Sequence, residues 1–544
     1  MSLLNTKKSN THELETLFIE RLATNLKRQA ITRPSKWAET YRIMKNGPWR
    51  FKNYPWLRGM HDSQAEINVG KKAAQMGYTE CVLNITFYTI DVLGRDVLYV
   101  LPNRTPDASD FSASRFDPAL ELSNHLSKLF SNVKNIGHKR AGSANLYVRG
   151  SQSRAGLKSI PVSVVILDEI EEFNVESVPL ALERTSGQLS KSAWLISTPS
   201  IEDHGIDTQY KKSTQESFFF RCPCCDRLIT LIWPDNVVVD ETDPYYICTD
   251  CKQNILPGLR NALEKGTWVP KYPDRDIRGF YINQLYSPTI TPKEFVDKYL
   301  ESQLDPVAEQ EFYNSKVGTT HTVKGSQLTD ADIQRAIGTH KPGPRQGLIT
   351  LGCDVGNYLH YEIDLWHLPP VFKTRDINLE ARPTVLDFGT LTDFEQLDAL
   401  MYQYNVRFCV IDAQPERRKA REFASRFQGR VRLCFYGRGL SGRQMTIHKD
   451  EPNITVDRTS WLDLALNRFR NDTISLPISP ELSSYSNHLC TLVRRYRKDK
   501  DGNPMAEYLS GDKPDHYAHA RNYAEMALVF ASSMSKSYDI SGIL

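Results

Sequence analysis

Asn68-Val-Gly-Lys-Lys-Ala-Ala-Gln-Met-Gly-Tyr-Thr-Glu80 carries the pattern around which the rest of the chain falls into place. It reads as a phosphate-binding loop whose charge has moved. The usual loop, Gly, four residues, Gly-Lys-Ser/Thr, wraps backbone N–H groups around phosphates, uses Lys as a mobile point charge and sets the hydroxyl on Mg²⁺. Gly77 and Thr79 take the places of the second Gly and the hydroxyl, but Tyr78 stands in the Lys place. Lys72 stands where the first Gly belongs, with Lys71 beside it. The plain alternative is a solvated Lys pair ahead of a Gly turn.

Outward from this loop, from Gly70 to Pro199, strand-like and helix-like segments alternate. Val97–Leu101 is a short apolar run ending at Pro102, and Phe116, Leu120 and Leu126 mark helical material after it. Val162–Leu167 and Ala193–Ile196 are further strands. Such spacing predicts a parallel α/β sheet covered on both faces. The second of these strands runs into Asp168-Glu169 and the third into Ser197-Thr198-Pro199, all at the carboxyl edge where open α/β sheets bind ligands. In a nucleotide hydrolase, Asp168 would hold Mg²⁺, Glu169 would polarise water, and the hydroxyls would sense the γ-phosphate. Acids at a helix N-terminus, with Glu171-Glu172 following, are the structural alternative. Upstream, Trp49, Phe51, Tyr54 and Trp56 form a Pro-broken aromatic cluster suited either to stacking on a base or to anchoring a core.

With these three elements in order, the chain resembles the large terminase subunit of tailed bacteriophages, in its phage-lambda-type branch. There the phosphate loop has an early Lys and a late Gly-Tyr-Ser/Thr, as Lys72 and Gly77-Tyr78-Thr79 do here. The resemblance implies that Lys72 supplies the phosphate-binding charge, Asp168 the metal contact, Glu169 the catalytic base, and Ser197-Thr198 the coupling of hydrolysis to movement. Lys71 stays open as the phosphate ligand. Phe312–Gly318, after a helix opened by the capping box Thr291–Glu294, is similar to the family's segment closing the motor domain. Arg104 and Arg115 are candidates for an arginine reaching a neighbour's ATP.

Cys222-Pro-Cys224-Cys225 and Cys248-Thr-Asp-Cys251 give two Cys-x-x-Cys knuckles with 22 residues between them. Four thiolates at that spacing close a tetrahedral Zn²⁺ site of ribbon type. Cys222, Cys225, Cys248 and Cys251 are the expected ligands, with Cys224 a competitor. Two tandem pairs make a redox role the weaker alternative.

Thr339–Gly347, rich in Pro and Gly, marks a break. Beyond it, Asp354 and Asp412 each sit on a strand with an apolar run before them. Buried carboxylates ask for a partner or a cation, although each acid could simply cap a strand at a wet edge. This placement is similar to the ribonuclease-H-type nuclease domain at the carboxyl end of large terminases, where two divalent ions (Mg²⁺ or Mn²⁺) lie about 4 Å apart. For the third acid, the family's closing helix resembles Lys513–Ala524, with His519 in the usual Asp place and Asp515 one turn earlier. Asp515 ranks first and His519 second. Arg417, Arg418, Lys419 and Arg421, and the arm Arg494–Lys498 leading into an Asp501-Gly502 turn, have the sign that suits a DNA backbone.

The expected organisation is an N-terminal helical segment (1–45), with Leu14, Leu17, Phe18 and Leu22 at helical spacing, and a P-loop ATPase domain (46–330) carrying a zinc-ribbon-like insertion (218–256). A linker (331–347), a ribonuclease-H-like endonuclease domain (348–530) and a tail (531–544) follow. At 544 residues the chain is too long for one core, and 40% hydrophobic and 24% charged residues are those of an ordinary globular protein. A net charge of only +3 confines any nucleic-acid surface to local patches. No apolar run reaches the length of a membrane span, no signal-peptide core opens the chain, and ten cysteines do not make a disulfide scaffold. The resemblance implies a DNA-packaging motor in the cytoplasm of the bacterial host, absent from the mature virion. It would hydrolyse ATP to drive double-stranded DNA into a procapsid, cut the concatemer, and work as a homo-oligomer on the portal with a small terminase subunit. A helicase-nuclease of repair or defence, and a zinc-stabilised DNA binder without catalysis, are the competing readings.

Overall fold

The computed structural model describes residues 31–533 apart from 131, 132, 136, 159, 175, 375, 438, 439, 441, 449, 450 and 499–501. The expected helix through Leu14 and Leu22, the tail from 534 and the turn residue Asp501 lie outside the described residues. The chain divides between His321 and Thr322 into two units. That break precedes the 331–347 linker read from Pro and Gly content. The reason lies in the helix Asp330–Ala336, whose Ile333 and Ala336 are buried with Leu462, Leu466 and Leu489 of the second unit.

In the first unit, Ile67–Lys72 (β1), Val97–Leu101 (β2), Val133–Asn135 (β3), His138–Ala141 (β4), Ala144–Gly150 (β5), Val164–Asp168 (β6), Ser192–Ser197 (β7), Glu216–Arg221 (β8), Leu228–Ile229 (β9), Thr267–Val269 (β10) and Arg278–Ile282 (β11) make an eleven-stranded sheet. Its order is β9-β8-β11-β1-β7-β6-β2-β5-β4-β3, with β10 on β8. Neighbours from β8 through β5 run parallel. Every residue of β2 and β6 is buried, as expected of strands with helices on both faces. The helix Tyr78–Asp91 (α1) starts from Gly77, whose φ of 84° is open to glycine at little cost. Trp49, Phe51 and Trp56 are buried in the same core cluster as α1, so the aromatic stretch anchors the unit.

In the second unit, Leu348–Val355 (β12), Leu359–His367 (β13), Arg382–Leu391 (β14), Phe408–Asp412 (β15), Val431–Tyr436 (β16), Met445–Ile447 (β17) and Asn453–Val456 (β18) form a sheet ordered β14-β13-β12-β15-β16-β18-β17. β12 pairs antiparallel with β13 and parallel with β15. The long helix His516–Ser533 lies across β12 so closely that a Cβ on Gly352 would stand 2.1 Å from the Ala520 carbonyl oxygen. Only glycine allows that approach. The basic arm forms the expected hairpin, Val493–Lys498 against Pro504–Leu509. Among the described residues no helix is long and apolar enough to cross a membrane.

Candidate functional site

β1, β7 and β6 are adjacent, and their carboxyl ends bring the phosphate-loop, Ser197-Thr198 and Asp168-Glu169 motifs together. Alternation along β1 sends its last two side chains to opposite faces. Lys71 Nζ lies 2.6 Å from Asp207 Oδ1, on the helix Gly205–Lys211, in a pair of which 10% and 3% remain exposed. Burial alone would raise the Asp207 pKa; Lys71 and Lys211 outweigh it and hold the carboxyl below its usual range. Lys72 Nζ points the other way and stands 3.5 Å from Glu169 Oε1. Glu169 is 43% exposed at the mouth of the site.

Asp168 ends β6 in the core. Tyr99 donates to its Oδ2 at 2.6 Å, whereas Oδ1 is buried without a hydrogen-bond partner among the described residues. Burial and then the Glu169 charge push the Asp168 carboxyl up to about 6, against the pull of Lys72, Tyr99 and Thr79. An unpartnered buried acceptor beside a threonine hydroxyl is a donor set that fits Mg²⁺. Glu169 sits at φ 61°, ψ 47°, left-handed for a non-glycine residue, a conformation costing about 1 kcal/mol or more. Its N–H donates to the Ile196 carbonyl at 2.9 Å and Ser197 Oγ donates to its Oε2 at 3.3 Å. Thr198 is half-buried just beyond. Tyr78, counted with the nucleotide-binding residues, is buried and packs beneath Gly70, so its side chain belongs to the core. Arg115 is 3.3 Å from Glu80, and Arg104 follows β2 beside Arg149.

Sequence reasoning missed the wiring behind this edge. Glu171, read as one of two helix-end acids, is buried and clamps the loop after β7. It accepts from the Ser200 N–H at 2.8 Å, the Ile206 N–H at 3.1 Å and the Ser200 hydroxyl. Asn314 Nδ2 donates to the Ser200 carbonyl at 2.8 Å, and one residue later the Ser315 carbonyl accepts from the Ala74 N–H at 2.8 Å. The segment Phe312–Gly318 thus touches both the phosphate loop and the exit of β7. An acid or amide with a distant partner leaves no spacing signal, which is why none of this is legible in the sequence.

The sulfurs of Cys222, Cys225, Cys248 and Cys251 lie within 4.8 Å of one another, with Cys222 to Cys251 at 4.0 Å and Cys225 to Cys248 at 3.9 Å. Four thiolates about 2.3 Å from Zn²⁺ would be about 3.8 Å apart, so the cluster fits that ion. Backbone N–H groups of Cys224 and Asp250 face the Cys222 and Cys248 sulfurs at 3.4 Å. Cys224 is exposed and its thiol turns to the Asn254 carbonyl.

In the second unit, Asp354 is buried on β12, opposite His360 in the β12/β13 register. His516 Nδ1 is 2.9 Å from Asp354 Oδ2, and the ligand atoms of Asp354, His360 and His516 all lie within 4.8 Å. This trio, and not the expected set of Asp354, Asp412, Asp515 and His519, is the compact one. Asp412 ends β15, accepts from the Gln414 N–H at 3.0 Å, and is pushed up to about 6 by burial and the nearby Asp354. Asp515 is 3.6 Å from Arg458 and 3.4 Å from His519. Burial opposes its ionisation, but His519 and Arg458 prevail and hold the carboxyl far below its usual range. His519 is committed as well: its Nδ1 meets the Tyr436 hydroxyl at 3.0 Å and its Nε2 faces Arg458 at 3.2 Å. Burial, then His516 and His488, lowers His360 to about 4, whereas the Asp354 contact raises His516.

The basic clusters are less free than their sequence suggests. Arg421 lies 2.6 Å from Glu451, Arg418 3.0 Å from Glu422, Arg494 2.7 Å from Asp463, and Arg495 3.4 Å from Glu507.

A parallel sheet carrying a lysine, a strand-end acid pair and a Ser-Thr pair at one edge marks an ATPase-type α/β unit, here followed by a second α/β unit with its own acids. Residues 44–268 match the family model of the phage terminase large subunit gpA, ATPase domain. The chain is 24% identical over 325 residues to the terminase large subunit of Enterobacteria phage P21, covering 50% of this chain and 49% of that protein. It is 22% identical over 391 residues to the terminase large subunit of Escherichia phage lambda, covering 62% and 60%. Among solved structures, the large terminase of a thermophilic bacteriophage aligns over 88% of this chain and 100% of that one, at 10% identity and a TM-score of 0.32. The chain is thus similar to phage terminase large subunits, and its residues 44–268 match the model of their gpA-type ATPase domain. It spans about half to three-fifths of the length of these curated relatives.

Proposed function

We propose that this chain is the motor subunit that hydrolyses ATP to drive double-stranded DNA into a procapsid and cuts the concatemer with its second unit. The observation that carries the reading is Lys72 facing Glu169 beside the unpartnered Asp168 Oδ1 at the carboxyl edge of parallel strands. Lys72 binds the phosphates and Lys71 keeps Asp207 and the sheet in place. Asp168 and Thr79 would hold Mg²⁺, which when bound neutralises phosphate charge. Glu169, oriented by Ser197, accepts the proton of the attacking water at its carboxylate. Loss of the γ-phosphate contact at Ser197-Thr198 is passed through Ser200 and Asn314 to Phe312–Gly318, and so back to Ala74. Cys222, Cys225, Cys248 and Cys251 would hold Zn²⁺ as a structural staple of the insertion.

The second unit is read as a ribonuclease-H-type nuclease, supported by its strand order and by acids at the ends of the paired β12 and β15. Asp354 and Asp412 would hold divalent ions that lower the pKa of water. Asp515 is the third acid, with His519 fixing it from one turn on. Double-stranded DNA, a small terminase subunit, the portal and further copies of this chain are the proposed partners, in the host cytoplasm. A helicase-nuclease is not favoured, because β8 to β11, between Ser200 and Gly347, join the first sheet instead of building a second motor.

The test is reciprocal. Glu169→Gln is expected to lower ATP turnover about 10²–10⁴-fold while plasmid cutting survives, and Asp354→Asn to do the reverse. Normal turnover in the first variant removes the motor assignment, and normal cutting in the second removes the nuclease site.

A further inference from the structure

We propose that His360 and His516 join Asp354 as ligands of a divalent transition-metal site in the second unit, one that prefers Mn²⁺ over Mg²⁺. The inference rests on the nuclease reading and adds to it which side chains bind and which ion they choose. Three elements converge: Asp354 on β12, His360 directly opposite on β13, and His516 as the first residue of the helix that crosses them. Sheet register and helix start therefore fix the trio, as rigid elements do for precise sites.

Ligand atoms around an ion with bonds of about 2.1 Å lie about 3 to 4.2 Å apart. Those of Asp354, His360 and His516 are already within 4.8 Å, so small side-chain rotations close the shell. His360 Nδ1 is buried and has no hydrogen-bond partner among the described residues. Natural folds seldom leave such an atom orphaned, and an ion in the trio would engage it. The His360 and His516 rings stack at 4.5 Å and 16°, an arrangement that can turn both ring edges to one side. His488 packs against both, at 5.6 and 5.7 Å, and its Nδ1 accepts from the Tyr517 N–H at 3.4 Å, which props the pair without joining it.

Donor chemistry sets the choice of ion. Mg²⁺ favours an all-oxygen shell and gives up water reluctantly, whereas imidazole nitrogen suits the later first-row dications. Two nitrogens and one carboxylate oxygen should therefore favour transition dications over Mg²⁺, and Mn²⁺, the weakest nitrogen binder among them, is the most stringent case. The competing account is a bare Asp354–His516 ion pair with His360 stacked beside it.

The experiment is Mn²⁺ binding to the full-length, zinc-loaded chain, followed by electron paramagnetic resonance. Zinc limited to one equivalent per chain is taken by the four thiolates, which keeps that cluster out of the titration and leaves the histidines open to Mn²⁺. Pulsed spectra of the bound ion are expected to show coupling to directly bound nitrogen in the unsubstituted protein, a readout that needs no variant. His360→Ala and His516→Ala are each expected to weaken Mn²⁺ at least about tenfold and to erase its advantage over competing Mg²⁺. Mn²⁺ binding that needs Asp354, shows no nitrogen coupling and survives both His substitutions overturns the histidine assignment and leaves the nuclease reading standing. Mn²⁺ binding unchanged in Asp354→Asn, or no binding at all, overturns both.

Discussion

The two acid-bearing edges of this chain solve one electrostatic problem in different ways. At the ATPase edge, Asp168 ends a fully buried strand, and its neighbour Glu169 faces a lysine from the adjacent phosphate loop. At the second edge, Asp354 on β12 faces two histidines, one from the next strand and one from a helix 162 residues on. A fixed cation suits a site whose ligand arrives as a polyanion with its metal. Under the proposed metal assignment, two nitrogen-bearing rings suit a site that must itself recruit the ion. The contrast also separates what local spacing can encode from what only the fold assembles.

The comparison breaks first at the lysines, where the largest effect is expected. Lys72→Ala should cut ATP turnover about 10²–10³-fold, the loss typical of removing one preorganised charge contact. Lys71→Ala should act on the fold, because it takes from the buried Asp207 its Oδ1 partner and leaves Lys211 and the Asp203 N–H, both on Oδ2. Breaking a buried pair costs about 3 kcal/mol, read as a lowered denaturation midpoint with ATP affinity largely kept. The reverse outcome would mean the right loop and the wrong lysine.

A smaller effect sharpens the contrast through pH. Asp168 and Asp412 are both pushed up to about 6, so each carboxyl takes a proton as pH falls through that value and loses its grip on a metal. At the second edge His516, raised by Asp354, must also be free of its proton to bind an ion. Between pH 6 and 5, ATP turnover should fall about tenfold and plasmid cutting about a hundredfold, one proton against two. Parallel slopes for the two activities would show that one proton, not two, governs cutting.

What the sequence made legible follows the same division. The phosphate loop, Asp168-Glu169, Ser197-Thr198 and the cysteine knuckles are short patterns whose spacing is their chemistry, and the structure gathers each of them. The proposed choice of Lys72 over Lys71 is not legible in the sequence, since alternation in a strand puts one on each face and the partner of Lys71, Asp207, lies 136 residues on. Tyr78 misled for a related reason, since its place in the motif says nothing about its burial beneath Gly70. His360 carried no signal because its role depends on strand register, and His519 drew attention because it occupies a motif position, although Tyr436 and Arg458 claim its ring.

The smallest expected effect concerns the ambiguity inside the cysteine motif. Cys224 sits between two proposed zinc ligands, and spacing alone lets it compete with Cys225. Backbone geometry favours Cys225: the Cys224 N–H faces the Cys222 sulfur, while its own thiol turns out toward the Asn254 carbonyl at 3.6 Å. Cys224→Ser should therefore leave one zinc per chain and an unchanged thermal midpoint, whereas Cys222→Ser should lose the ion. Because a closed four-thiolate site contributes its binding free energy to folding, the loss should also lower the midpoint of the first unit. If Cys224→Ser released zinc instead, the knuckle would have to be rebuilt around the exposed thiol. Spacing would then be as poor a guide to this site as it is to the histidines of the second unit.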